Sequence, residues 1–207
     1  MKQPKITVIM PVYNCELWVD HALNSIPVAG DVQVVVVNDG STDNSWTRIL
    51  TWYDNNYNKI SPSSEIINWQ ENKGVASALN LGYSRAIGEY VVLLSADDWF
   101  IKDFEQFRPL LNGENDLVYF DLEVNDGSVW HVTPENEKLY VGSVKFMRRG
   151  LIGDTRVPDK KWHEDVGFTK ELMTKNPKKV FTGIVLKHYN FPREGSLTWQ
   201  ATHKDAQ

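Results

Sequence analysis

One cysteine, Cys15, is all that the chain has, so an internal disulfide and a cysteine-built zinc centre are both excluded. That usage suits a reducing compartment, and a cytoplasmic location is expected. No apolar run approaches the roughly 20 residues that span a bilayer, so no transmembrane segment is expected, while peripheral membrane contact stays open. The apolar run 6–12 follows two lysines, but Pro11 and Asn14 cut it short and no small-residue cleavage pattern follows. It reads as a buried strand rather than a secretion signal. Basic residues are in deficit, 22 Lys and Arg against 27 Asp and Glu, for a net charge of -5. A nucleic-acid partner is therefore not expected, whereas small anions remain open. Neither GxGxxG after the first strand nor GxxxxGK[ST] anywhere is present, which counts against a dinucleotide oxidoreductase and a P-loop enzyme. Repeats, low-complexity tracts and proline-rich linkers are also missing, so 207 residues make one domain.

What is present is an alternation of β-branched runs and helical patterns. Strands are expected at 6–12, 32–37, 65–69 and 90–94, with helices at 16–26, 43–53 and 74–86 between them. This order implies a parallel α/β sheet. Trp46, Ile49, Leu50 and Tyr53 form one helical stripe and Val75, Ala78, Leu79, Gly82 and Ala86 another. Ser41, Thr42 and Asp43 suit a helix cap, and Gly88 suits a helix end at positive φ. Beyond Trp99 the alternation loosens into a smaller α+β half. A helix is expected at 104–111, a strand at 117–121, a turn at 125–127 and a helix at 164–174.

In open α/β sheets ligands settle outside the carboxyl ends of the strands. Those ends carry Tyr13-Asn14, Asn38-Asp39-Gly40, Gln70 to Lys73, and Asp97-Asp98. Two adjacent carboxylates after a buried strand repel one another unless a cation or hydrogen bonds compensate them. Eight tryptophans are many for this length; most suit packing, and Trp130, Trp162 and Trp199 are candidate platforms for sugar rings.

The segments ITVIMPVYN (6–14), VVVNDGSTDNS (35–45), ENKGVASALNLGYSRAIGEYVVLLSADD (71–98) and HED (163–165) together resemble the family 2 glycosyltransferases. The resemblance is close over the first hundred residues. It implies a GT-A fold: a Rossmann-like nucleotide-binding half (1–98) with a mixed central sheet, and a smaller acceptor half (99–207). It implies sugar transfer from a nucleotide sugar, a UDP-sugar above all, by an inverting displacement assisted by Mn²⁺ or Mg²⁺. A hexosyl or N-acetylhexosaminyl group would go to a glycan, lipid-linked or small-molecule acceptor, as in polysaccharide biosynthesis.

By the same resemblance, Pro11, Val12 and Tyr13 border the base, and Asp39 accepts a hydrogen bond from the uracil imide. An Asx-turn before Gly40 is the plainer reading of Asp39. Asn72 and Lys73 meet the donor phosphate or base edge at a helix N-terminus. Arg85 has a donor-side reading and a plainer one, as a charge at a helix C-terminus. Asp98 is expected to hold the metal, and Asp97 the ribose and the metal shell. His188 and His163 are weaker candidates at the metal or diphosphate. Asp165 is the expected general base and Glu164 an acceptor-positioning residue, although helix dipoles also favour carboxylates there. Arg193 and Ser196, in REGSLT, are candidates to close over the phosphates.

Ser95 stands where many relatives carry a third acid. That keeps open a catalytically silent sugar-nucleotide-binding or scaffolding member of the fold. A glycoside hydrolase explains neither NDGSTD nor the acidic pair, and a nucleotidyltransferase would need a glycine-rich phosphate loop after the first strand.

Overall fold

The computed structural model describes residues 3–69, 71–137, 143–159 and 164–193. Four parallel strands form its first half: β1 (Ile6–Val12), β2 (Val32–Asp39), β3 (Glu65–Trp69) and β4 (Tyr90–Leu93). β1 and β2 are buried along almost their whole length, as strands covered on both faces must be. Three helices connect them: α1 (Val19–Asn24), α2 (Ser45–Asn56) and α3 (Val75–Arg85). All four carboxyl ends therefore open on one edge.

Local chemistry departs from expectation at three points. α2 is entered, as expected, through the Asp43 carboxylate, which accepts from the Ser45 amide at 2.9 Å, and Trp46, Ile49 and Tyr53 of its expected stripe pack on the core, but Leu50 is exposed and Trp52 is buried in its place. Gly88 is not at positive φ. A Cβ there would stand 2.6 Å from the Thr7 amide nitrogen, so glycine answers a close chain approach rather than a helix end. Residues 104–111 do not form an α-helix; they make turns and a 3₁₀ turn at Arg108–Leu110, because Pro109 has no amide to donate.

The second half extends the same sheet. β5 (Trp99–Phe100), β6 (Leu117–Val124), β7 (Val129–Trp130), β8 (Lys145–Arg148) and β9 (Lys179–Tyr189) bring the count to nine strands among the described residues. The order is β3-β2-β1-β4-β8-β6-β9-β5, with β7 on β6. β8 runs antiparallel to β4 and β6, β9 parallel to β6, and β5 antiparallel to β9, so the sheet is mixed. Phe104, Phe107, Phe120 and Phe146 fill its core with edge-to-face and tilted contacts. α4 (Arg149–Ile152) follows β8, and α5 (Glu164–Thr174) has the expected bounds. β9 was not legible in advance: Gly183, at φ 64, and two register shifts against β6 break its side-chain alternation.

Candidate active site

The parallel strand ends are stitched together by their own polar residues. After β1, Asn14 takes a positive φ of 48 and its Oδ1 accepts from the Thr42 amide at 2.8 Å, while its amide donates to Ser41 Oγ at 3.0 Å. Tyr13 is 49% exposed beside this junction. Pro11 is half-buried and the Val12 side chain is packed in the core, so Val12 offers a ligand its backbone rather than its isopropyl group. Asn38 joins Asn68 and Ser41 in a hydrogen-bonded row along the same edge.

Asp39 ends β2, almost wholly buried, and its Oδ1 accepts from the Lys73 amide at 2.7 Å. The Asx reading of Asp39 thus gives way to a longer-range contact that fixes the loop entering α3. Gly40 allows this approach, since a Cβ there would lie 2.6 Å from the Asn72 nitrogen and its φ is 71. Asn72 is exposed and its Oδ1 accepts from the Gly74 amide; the Lys73 ammonium, on an exposed side chain, lies 4.8 Å from the Trp69 ring centroid. Arg85 does not reach this edge. It closes α3, its carbonyl accepts from Gln33 at the start of β2, and its guanidinium faces Glu65 at 3.8 Å.

The acidic pair after β4 divides into two environments. Asp98 is 1% exposed; its Oδ2 takes the Lys187 ammonium at 2.9 Å and its Oδ1 the Asn190 amide at 3.1 Å. Burial pushes its carboxyl upward, against the pull of Lys187. The cation that compensates Asp98 is therefore a lysine of β9, and the metal expected there meets a carboxylate with both oxygens engaged. Asp97 is more open. Arg193 holds its Oδ2 at 2.7 to 2.8 Å, and among the described residues Oδ1 has no hydrogen-bond partner. Cys15 lies close enough to feel both Asp97 and Arg193; burial first, and then the Asp97 charge, push its thiol up to about 11. The loops after β1 and β4 thus lie near one another.

His188 is also engaged, which removes it as a free ligand. Its Nδ1 contacts Glu123 at 3.0 Å, its Nε2 contacts Asn125 at 2.9 Å, and its ring stacks on Trp99 at 4.1 Å. No group of three His, Cys, Asp or Glu residues able to hold a metal ion occurs among the described residues. Asp165 starts α5, half-buried, and lines a cavity of about 20 Å³ with Tyr83, Leu93, Met147, Val157 and Phe168. Leu93 closes β4, so this carboxylate stands beside the strand that leads to Asp97. His163, Ser196, Trp162, Trp199 and Gln70, and the Glu164 side chain, lie outside the described residues. A cavity of about 540 Å³ bounded by Lys5, Asp31, Glu89 and Arg108 sits at the opposite edge and carries none of the candidate site residues.

Lys187 and Asn190, which decide the state of Asp98, were not picked out from sequence. The available signal was a lysine inside the apolar run Ile184 to Tyr189, which implies a buried counter-charge.

Comparison with known proteins agrees with the geometry. Residues 7–169 match the family described as Glycosyl transferase family 2. An uncharacterised glycosyltransferase of Haemophilus influenzae is 31% identical over an alignment of 216 residues, 96% of this chain and 82% of its own length. Glycosyltransferase GlyA of Streptococcus pneumoniae is 30% identical over 146 residues, 66% of this chain. The chain spans only 20% of GlyA, and 33% of the putative glycosyltransferase EpsH of Bacillus subtilis. TarS of S. aureus in complex with UDP-GlcNAc superposes with a TM-score of 0.76 at 24% identity, over 94% of this chain and 60% of that one. Mannosyltransferase PcManGT of Pyrobaculum calidifontis, in complex with GDP-Man and Mn²⁺, gives 0.72 at 19% identity, over 97% and 61%. The fold is GT-A.

Proposed function

Because the chain belongs to glycosyl transferase family 2, we propose that it transfers a sugar from a UDP-sugar to an acceptor hydroxyl with inversion at the anomeric carbon. The observation that carries this reading is Asp39. Its Oδ1 is held by the Lys73 amide, and its other oxygen, which has no hydrogen-bond partner among the described residues, suits an imide N–H, the donor that uracil presents. Pro11, Val12 and Tyr13 border the base, and Asn72 and Lys73 face the phosphates at the start of α3. The UDP-GlcNAc bound to TarS supports a UDP donor, and among sugars an N-acetylhexosamine as readily as a hexose.

Asp97 is the carboxylate we assign to the donor's ribose and to a divalent ion. Mg²⁺-like ions keep several waters and take one or two carboxylates plus substrate phosphates, so one open carboxylate oxygen fits an ion that arrives with the diphosphate better than a resident one. PcManGT in complex with GDP-Man and Mn²⁺ supports a divalent ion beside a nucleotide sugar in this fold. Such an ion would offset charge on the departing diphosphate. Arg193, when it leaves Asp97, is placed to bind the same phosphates. Asp165 accepts the acceptor proton, a role worth roughly 10²–10⁴ in rate. Glu164 precedes it as the acceptor-positioning residue. The acceptor is a glycan, a lipid-linked sugar or a small molecule; no helix among the described residues is long and apolar enough to cross a membrane.

Calorimetry with UDP and GDP, followed by UDP release from a panel of UDP-sugars with Mn²⁺, tests the reading. UDP should bind and GDP should not, and Asp165→Asn should abolish UDP release while keeping UDP binding. Equal binding of GDP would remove the role given to Asp39. UDP binding without turnover on any acceptor would favour the silent sugar-nucleotide-binding member that Ser95 keeps in view.

A further inference from the structure

Asp121 lies within β6, 1% exposed, and both of its oxygens are committed. Oδ1 accepts from the Val132 amide at 2.9 Å, and Oδ2 meets Nδ1 of His131 at 2.6 Å. A carboxylate only accepts, so the hydrogen of the neutral imidazole sits on Nδ1 and the Nε2 lone pair points away from Asp121. The His131 side chain is 68% exposed, and Nε2 has no hydrogen-bond partner among the described residues. The backbone that carries it is fixed. Asn136 donates to the His131 carbonyl and accepts from the Thr133 amide, at 2.8 Å each, and the Val132 side chain is packed in the core. A buried carboxylate on one ring nitrogen sets both the tautomer and the direction of an imidazole, which is how a histidine is made to present Nε2 to a ligand.

The pair stands on the same face of the sheet as Asp165. Met147, which lines the Asp165 cavity, pairs with Leu117, and Tyr119 and Asp121 follow Leu117 at two-residue steps. Leu122 pairs with Trp130, so His131 lies across from Asp121 and shares its face. β6 is parallel to β4, since both are antiparallel to β8, and its carboxyl end opens on the edge that carries Asp97. From Leu117 to Asp121 the strand advances about 13 Å toward that edge. We propose that His131 is an acceptor-binding residue, its Nε2 accepting from a hydroxyl of a sugar or polyol acceptor other than the hydroxyl that attacks, with Asp121 as its positioning residue. The role rests on the proposed transfer reaction and on Asp165 as its base. A lone pair held at a fixed point away from the Asp165 cavity reads how the acceptor lies rather than taking its proton. Because that lone pair selects O–H donors, it narrows the acceptor to a molecule with several hydroxyls.

Two measurements test this on the whole chain. In protein labelled with ¹⁵N histidine, the neutral His131 ring should carry its hydrogen on Nδ1. With UDP present, N-acetylglucosamine, cellobiose, lactose and sorbitol are then added in turn, and at least one should move the Nε2 resonance while Nδ1 keeps its hydrogen. A ring hydrogen on Nε2, or an Nε2 resonance that none of the four moves, overturns the proposal, whatever the protein's activity. In UDP release from UDP-GlcNAc with the same four acceptors, His131→Ala should raise the acceptor KM up to about tenfold, the worth of one hydrogen bond, and leave the KM for donor unchanged. Asp121→Asn, which no longer fixes the tautomer, should move the acceptor KM in the same direction. An unchanged acceptor KM in His131→Ala, or a loss of kcat at unchanged KM, also overturns it. If no UDP-sugar is turned over, the proposed function fails, while the site at His131 still stands or falls on the resonance titration.

Discussion

Replacing Lys187 with Met should destabilise this protein strongly, and in a pH-dependent manner. The Lys187 ammonium meets Asp98 Oδ2 at 2.9 Å with both side chains almost wholly buried, and it also bonds Ser143 Oγ. Methionine keeps the unbranched stem and so leaves little cavity, but strands a carboxylate with one remaining bond, from the Asn190 amide at 3.1 Å. Breaking a buried pair by removing one partner costs about 3–5 kcal/mol. For a chain of this length that is a fall in Tm of roughly 10 °C. The sign of the pH effect follows from burial, which already pushes the Asp98 carboxyl up. Without Lys187 nothing but one amide opposes it, so the folded-state pKa rises further above the unfolded value. Between those two values the folded state binds a proton that the unfolded state lacks, and stability falls as pH rises through the window. The deficit of Lys187→Met should therefore be larger at pH 8 than at pH 5, because falling pH lets the buried Asp98 carboxyl take up a proton in the folded state. Urea unfolding at both pH values, with unchanged m, measures it. Asp98→Asn in the Lys187→Met background should recover most of the loss. A deficit below about 1 kcal/mol at pH 8, or one equal at both pH values, would refute the assignment of Asp98 as a buried ionised partner of Lys187.

Tyr83→Phe should stabilise the protein by about 1 kcal/mol, since the phenol oxygen is buried without a partner among the described residues, and thermal unfolding reads this directly. Gly88→Ala should cost about 1–3 kcal/mol by the same assay, because the added Cβ meets the backbone of Thr7, in the buried strand β1, at 2.6 Å. Gly40→Ala should weaken UDP binding at least tenfold in calorimetry, as it displaces the Asn72 backbone at 2.6 Å and breaks the Asp39 to Lys73 contact. The stability of the wild type relative to Lys145→Met should rise as pH goes from about 8 to the ordinary lysine value of 10.5. In that window the unfolded wild type keeps a proton that the folded chain has lost, which raises wild-type stability by up to roughly 3 kcal/mol; paired urea titrations measure the gap.

The first half was legible because each of its strands is a short β-branched run bounded by turn residues, and parallel pairing fixes where the polar strand ends must gather. The second half was less so. β5 and β7 are two residues each, too short for periodicity, and β9 is interrupted at Gly183. Residues 104–111 carry a helical spacing of phenylalanines that Pro109 overrides, and those rings pack a sheet core instead.

Among site residues, sequence marked the side chains that follow the parallel strands, Asp39, Asn72, Lys73, Asp97 and Asp98, and Asp165 in the first turn of a helix. Adjacent residues on a chain leaving a strand alternate in direction, so sequence could mark Asp97 and Asp98 as a pair without telling which one faces the core. Only the tertiary structure decided that. It brings Lys187, Asn190 and Arg193 of the distant β9 region against them, burying Asp98 on a lysine and leaving one oxygen of Asp97 without a hydrogen-bond partner among the described residues. Charge compensation between residues nearly a hundred positions apart is a property of the sheet order, β6 beside β9 and β9 beside β5, which no local pattern encodes.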